Sequence, residues 1–270
     1  MNRRKPGFLR LGGVPFLNAR PLVRYLNLVD PPRIELRLEV PSRLAQLMEQ
    51  GQFAATTLPS IEYFRGRNYK IIPGISISAD GAVESVRIFS KAPIEEMRSL
   101  ALDRSSRTSV ALAKIILKRK LGGLPKLVDC SPDTDLNRTD SDAMLLIGDP
   151  AMTVPSSDSV HTLDLGEEWK KLTGLPFVYA MWVARADADI TGLQPKLQKA
   201  RDDGLARLDE IAAEASNEMG LSLETCTRYL RDIMKYDLGE RELEALRVFH
   251  EFAAQDGLCP GDVKIAVDNR

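Results

Sequence analysis

At 270 residues, with 44% hydrophobic and 28% charged side chains and a formal net charge of -1, the chain is long enough to bury a large core in one domain or two smaller ones. The balanced charge, without a basic stretch or an acidic tail, argues against nucleic acid as a partner. No window approaches the roughly 18 apolar residues of a membrane span, so no membrane partner is expected.

The positively charged opening Met-Asn-Arg-Arg-Lys is followed by an apolar run that Gly12, Gly13, Pro15, Asn18 and Arg20 interrupt, so no export signal is expected. Residues 8–12 predict a short strand, after which a Pro- and Asn-containing loop leads into a helix carrying Leu22, Val23, Tyr25 and Leu26. Ile34, Leu36, Leu38 and Val40 alternate with charged neighbours and predict a strand with one buried face. Pro41-Ser42 opens a helix with Leu44, Leu47 and Met48, closed at Gly51. A third strand over 53–58 feeds a helix that starts at Pro59-Ser60. This alternation predicts a sheet with parallel strands and helices on both faces.

From Tyr69 the pattern becomes back-to-back strands over 70–73, 75–78 and 83–90, the last read as the connection into a second α/β unit. That unit comprises strands over 100–103, 126–129, 143–147 and 160–165, and 177–184 is the return strand. Beyond it the pattern is helical: one long helix from Leu193 through Ala212, a second with Cys226, Leu230 and Ile233, and a third with Leu243, Leu246, Phe249 and Phe252. The expectation is an α/β protein of two lobes, 1–90 with 177–270 and 91–176, with a ligand cleft between them. The loops carrying Asn18, Ser42, Ser60 and Thr108 would face that cleft.

One stretch has the residues of an anion seat. Ser105, Ser106, Thr108 and Ser109 cluster where a strand gives way to an amphipathic helix with Val110, Leu112, Ala113, Ile116 and Leu117. The first N–H groups of a helix have no intrahelical partner and the dipole is positive there, which suits a carboxylate or phosphate. Ordinary N-capping by Ser or Thr accounts for the same residues. The Gly12-Gly13 pair lacks the third glycine and distal acidic residue of a dinucleotide fingerprint. Cys130, Cys226 and Cys259 stand in no metal-ligand spacing and read as free thiols of a reducing, cytoplasmic environment.

Several segments, in order, resemble one family. They are Phe16-Leu17-Asn18 with Pro21-Leu22, Pro59-Ser60-Ile61-Glu62-Tyr63, Ile75-Ser76-Ile77-Ser78, Ser85-Val86-Arg87-Ile88-Phe89-Ser90-Lys91, Thr108-Ser109, Ile147-Gly148-Asp149, and Asp164 through Trp169 on to Thr173 through Val178. Together they resemble the menaquinone-biosynthesis chorismate dehydratases of the futalosine pathway, which share a two-lobed fold with periplasmic solute-binding proteins. The resemblance implies a fold of that type, each lobe a mostly parallel sheet flanked by helices. It also implies elimination of water from chorismate to give 3-[(1-carboxyvinyl)oxy]benzoate, without metal or other cofactor. By the same resemblance Asn18 and Ser85 are the catalytic polar groups, while Ser60, Thr108, Ser109 and Asp149 contact substrate. Pro59 and the Asp149-Pro150 pair depart from the family's usual residues in two loops.

No base is evident. His161 and His250 are the only histidines, and neither stands in a pattern that pairs it with an acid, so the substrate's own carboxylate is the expected proton acceptor. Glu62 and Asp149 also read as carboxylates complementing helix N-termini, Trp169 and Trp182 as core, and Arg20, Arg87, Arg104 and Arg107 as partners of substrate or as solvated charge. Two other functions stay open: a non-catalytic protein that binds a small carboxylate, and the sister 1,4-dihydroxy-6-naphthoate synthase.

Overall fold

A computed structural model describes residues 9–29, 34–66, 68–103, 106–131, 134, 139–154 and 160–268. Arg104 and Ser105, expected near the anion seat, lie outside the described residues.

β1 (Leu9–Gly13) runs into a 3-10 turn, Leu17–Ala19, and two short helices, α1 (Arg20–Val23) and α2 (Leu26–Val29). β2 (Ile34–Leu38), α3 (Pro41–Glu49), β3 (Ala55–Pro59), α4 (Ser60–Arg65) and β4 (Tyr69–Ala79) follow. β1 pairs in parallel with β2 and β3, so the carboxyl ends of all three point the same way. β3 is buried at every position because it lies inside the sheet with neighbours on both edges, the situation in which a strand loses its polar face. The two strands expected over 70–78 are one. Gly74, at φ 85°, lets the chain pass Pro73 without leaving the sheet, and the pairing with the opposite strand shifts register across it, between Ile71 and Ser76.

The second sheet is built from β5 (Val86–Ser90), β6 (Ser99–Asp103), β7 (Lys126–Cys130), β8 (Ala143–Ile147) and β9 (His161–Asp164), in the order β7-β6-β8-β5-β9. It carries α5 (Arg107–Leu121), α6 (Asp149–Thr153) and α7 (Leu165–Thr173). The segment 86–90, inside the range expected for the first lobe, thus belongs to the second sheet, antiparallel to both β8 and β9. The chain crosses between sheets at 80–85. β10 (Phe177–Arg185) returns to the first sheet and inserts antiparallel between β3 and β4. With β11 (Met234–Lys235) that sheet reads β11-β4-β10-β3-β1-β2. Each sheet therefore has parallel strands on one side and antiparallel ones where the chain crosses.

α8 (Leu193–Leu205), α9 (Leu208–Met219), α10 (Leu223–Arg228) and α11 (Glu240–Gln255) complete the chain. The long helix expected from Leu193 onward breaks at Ala206-Arg207, just after Gly204, a residue with poor helix propensity. Gly204 is there for packing: a Cβ on it would stand 2.0 Å from the Pro21 carbonyl oxygen and 2.8 Å from the Pro21 Cα, so α8 and α1 meet backbone to backbone. Trp169 is fully buried, donates to the Pro176 carbonyl at 2.9 Å, and meets Phe177, Phe249 and Phe252 edge-on. Trp182 is buried in the same core. Both tryptophans are core residues. Among the described residues no helix is long and apolar enough to cross a membrane.

Because the carbonyl facing Gly204 is main chain, it cannot swing aside. Gly204→Ala is expected to lower stability by about 2–3 kcal/mol, the upper range for an overpacked core, and thermal or denaturant unfolding against the parent protein measures it.

Candidate active site

The carboxyl ends of five strands converge on one cleft between the sheets. β1 leads to Phe16 and Asn18, β2 to Pro41, β3 to Pro59, β6 to Ser106, Arg107, Thr108 and Ser109, and β8 to Gly148, all of which line it. Ser85 and Tyr179 lie in the same wall. The cavity volume enclosed there is about 70 Å³. At each of these strand ends a helix or 3-10 turn begins, and none is capped by its own N-cap side chain. The cleft therefore collects the electropositive ends of several helices, of which α5, fifteen residues long, is the longest. Arg107 is the single cationic side chain among the described residues of the wall. Its Nε is buried without a partner among the described residues and its tip lies 3.8 Å from Glu62.

Four of the six residues singled out in the sequence meet here: Asn18, Ser85, Thr108 and Ser109. Thr108 and Ser85 share a feature. Thr108 Oγ1 accepts the Ile61 N–H at 3.3 Å, and Ser85 Oγ accepts the Tyr229 hydroxyl at 2.7 Å, so each hydroxyl accepts a hydrogen bond from the protein and keeps its own proton for another acceptor. Asn18 Oδ1 and the Tyr179 hydroxyl are buried with no partner among the described residues. Burial pushes the Tyr179 phenol well up from its ordinary value, with the nearby Asp164 and Tyr229 adding to it, so Tyr179 is a donor and no base.

The other two residues do not reach the cleft. Ser60 is fully buried and donates to the Val178 carbonyl at 2.6 Å, with Met181 Sδ as a second neighbour; it ties α4 to β10. Asp149 accepts the Leu17 N–H at 3.0 Å, capping the 3-10 turn from the opposite sheet. Burial pushes its carboxyl up, against the Leu17 N–H and the charge of Arg20, which pull it down. Ser42 lines a separate groove beside α3. Arg20 pairs with Glu218 at 2.6 Å and Arg87 donates to the Ala151 carbonyl at 2.6 Å. Glu62 pairs with Arg65. His161 is exposed, and His250 packs on Phe64 with Nε2 at 2.8 Å from the Pro260 carbonyl.

Ser85 is held from several sides. The residue before it, Glu84, is left-handed at φ 61°, a costly conformation for a side-chain-bearing residue. Asp164 secures it by accepting the N–H groups of Val83 and Glu84 at 2.8–3.2 Å while capping α7 through Gly166 and Glu167. The Ser85 carbonyl accepts the Gly148 N–H at 2.7 Å. Tyr229 escapes sequence reading because it lies 144 residues from its partner. The local signal would have been a widened π-helical turn, Tyr229–Ile233, of the sort that recurs at functional positions, but no residue pattern announces such a turn.

Residues 9–255 match the sequence model of a family described as menaquinone biosynthesis. The chain belongs to that family. Its relatives include a chorismate dehydratase of Thermus thermophilus, 31% identical over 85% of this chain and 93% of that protein. Another is a chorismate dehydratase of Campylobacter jejuni, 30% identical over 88% and 94%. In three dimensions this menaquinone-biosynthesis family member matches a crystal structure from Archaeoglobus fulgidus at TM-score 0.75, with 21% identity and coverage of 94% and 100%. It matches the periplasmic aliphatic sulphonate binding protein of Escherichia coli at 0.68, with 14% identity and coverage of 98% and 95%. At such identities the likeness speaks for the fold, which is periplasmic-binding-protein-like.

The Asp149 latch has a pH signature. Its folded carboxyl lies above the ordinary value of about 3.9, so between the two the folded chain binds more protons than the unfolded one and stability falls as pH rises through that window. Asp149→Asn keeps an acceptor for Leu17 and is expected to lose this slope, standing level with or above the parent at neutral pH. Asp149→Ala leaves the N–H unpaired and is expected to cost about 1–3 kcal/mol. Denaturant titrations across pH 3–8 measure both.

Proposed function

We propose that this protein is a chorismate dehydratase of the futalosine route to menaquinone: a hydro-lyase that removes water from chorismate to give 3-[(1-carboxyvinyl)oxy]benzoate. The observation that carries the reading is the set of polar groups in a largely apolar wall, one amide, several hydroxyls and helix N-termini, with one arginine and, among its described residues, no carboxylate or imidazole. Such a wall suits a small dianion. The relatives named chorismate dehydratase support the substrate.

Chorismate carries a ring carboxylate and an enolpyruvyl carboxylate. The proton lost from the ether-bearing carbon is vinylogous to the ring carboxylate, so the electron pair left behind spreads into that group's oxygens. Expulsion of the neighbouring hydroxyl then completes the aromatic ring, and the proton and hydroxyl leave as water. Thr108, Ser109 and the first turn of α5 hold the ring carboxylate in this reading, and donors already aimed at its oxygens bind more strongly as charge accumulates. Asn18 and Ser85 hold the enolpyruvyl carboxylate or the departing hydroxyl. With no acid or imidazole in the described wall, the enolpyruvyl carboxylate accepts the proton, and the protein contributes conformation and electrostatics. The two lobes, divided near 80–85 and 174–177, close around the substrate and exclude water, and the reaction is a cytoplasmic one.

Incubation with chorismate is expected to consume it and yield an aromatic enolpyruvyl ether over many turnovers. Tight binding without conversion would make the protein a carboxylate-binding module instead. Asn18→Ala and Ser85→Ala are each expected to lower kcat/KM by about ten- to a thousandfold, the range for losing a donor to developing charge. Near-parental kinetics in both variants would remove them from the site.

A further inference from the structure

Behind the cleft wall, two consecutive residues of the C-terminal helices grip two consecutive residues of the crossing segment. Arg228 binds Glu84 through both carboxylate oxygens, at 2.7 and 2.6 Å. Tyr229 donates its hydroxyl to Ser85 Oγ at 2.7 Å in a fully buried contact. The bidentate pair fixes register as well as charge, which sets the phenol against the serine. Tyr229 does not line the cleft, whereas Ser85 and Asn18 do. The Asn18 amide also lies against the Tyr229 hydroxyl, and it and Ser85 partly offset the upward push that burial gives this phenol.

We infer that Tyr229 is a positioning residue for the reaction: by donating to Ser85 Oγ it occupies that oxygen and turns the serine's own proton into the cleft, toward the substrate. The inference rests on the dehydratase reading above. A serine hydroxyl free to rotate would donate to whichever acceptor is near, its neighbouring carbonyls included. One that already accepts from a buried phenol has one of its two lone pairs taken, and its proton is turned away from that bond. A hydroxyl polarised in this way is also the stronger donor, because successive hydrogen bonds reinforce one another in a water-poor setting. The effect therefore grows with charge on the substrate oxygen, and it belongs to turnover more than to ground-state affinity. A tyrosine that only filled space would do neither.

The test is steady-state kinetics with chorismate for the parent, Tyr229→Phe, Ser85→Ala and the double variant, with unfolding curves for each. Tyr229→Phe keeps the ring in the core and is expected to lower kcat about tenfold, the value of one hydrogen bond, with KM nearly unchanged and cooperative unfolding kept. In the Ser85→Ala background the same change is expected to do nothing further, because the group it acts through is gone. Incorporation of 3-fluorotyrosine at 229 retains ring and bond and strengthens the donor, and is expected to hold kcat at or above the parental value. Parental kcat in Tyr229→Phe, losses that add in the double variant, or a fluorotyrosine protein as slow as Tyr229→Phe would each overturn the inference while leaving the dehydratase reading intact. A parent protein that leaves chorismate unconsumed would overturn both.

Discussion

A buried hydroxyl has one proton to give, and a donor to its oxygen narrows the directions in which that proton can point. Thr108 and Ser85, both buried in the cleft wall, are governed by this constraint, the first through the Ile61 N–H and the second through Tyr229. In each case the donor comes from the first sheet's half of the molecule and the hydroxyl from the segment that builds or enters the second. Two of the contacts that join the halves therefore also engage the polar groups of the cleft. Asp149 on Leu17 works in the opposite sense, with the second half capping a turn of the first.

The exact arrangement depends on the crossing segment more than on either sheet. Glu84 sits in the left-handed region, and such a residue persists only where its surroundings over-determine it. Here they do so with the Asp164 carboxylate on the backbone and the Arg228 guanidinium on the side chain. Asp164 spends its lone pairs on four N–H groups from two elements, which is why burial raises its carboxyl less freely than an isolated acid's. The strain at residue 84 is offset by contacts that also aim residue 85.

Much of this was legible in the residues. Alternation marked β2, the return strand was placed at β10, and the Ser- and Thr-rich stretch marked the start of α5, because strand and helix periods and helix N-termini follow from local chemistry. Ser60 and Asp149 looked alike from the sequence, polar groups at helix starts by the carboxyl end of a strand. What separated them from Thr108 was tertiary: Val178 crosses above Ser60, and Leu17 presents its N–H to Asp149. Tyr229 was illegible for the same reason. Val86–Ser90 was recognised as a strand, but its sheet depended on partners some 55 to 75 residues further along, at β8 and β9.

The same fold occurs in a periplasmic aliphatic sulphonate binding protein. What would make it catalytic is the difference between holding charge that is present and meeting charge that arrives. Cationic side chains at every contact would favour the bound dianion before and after proton loss alike, and uniform binding of that kind lowers KM without raising kcat. Neutral donors fixed in place gain most where charge density increases. In the proposed dehydratase, a wall with a single arginine among its described residues, and with hydroxyls that already accept from buried partners, would therefore be biased toward the reacting state over the resting one.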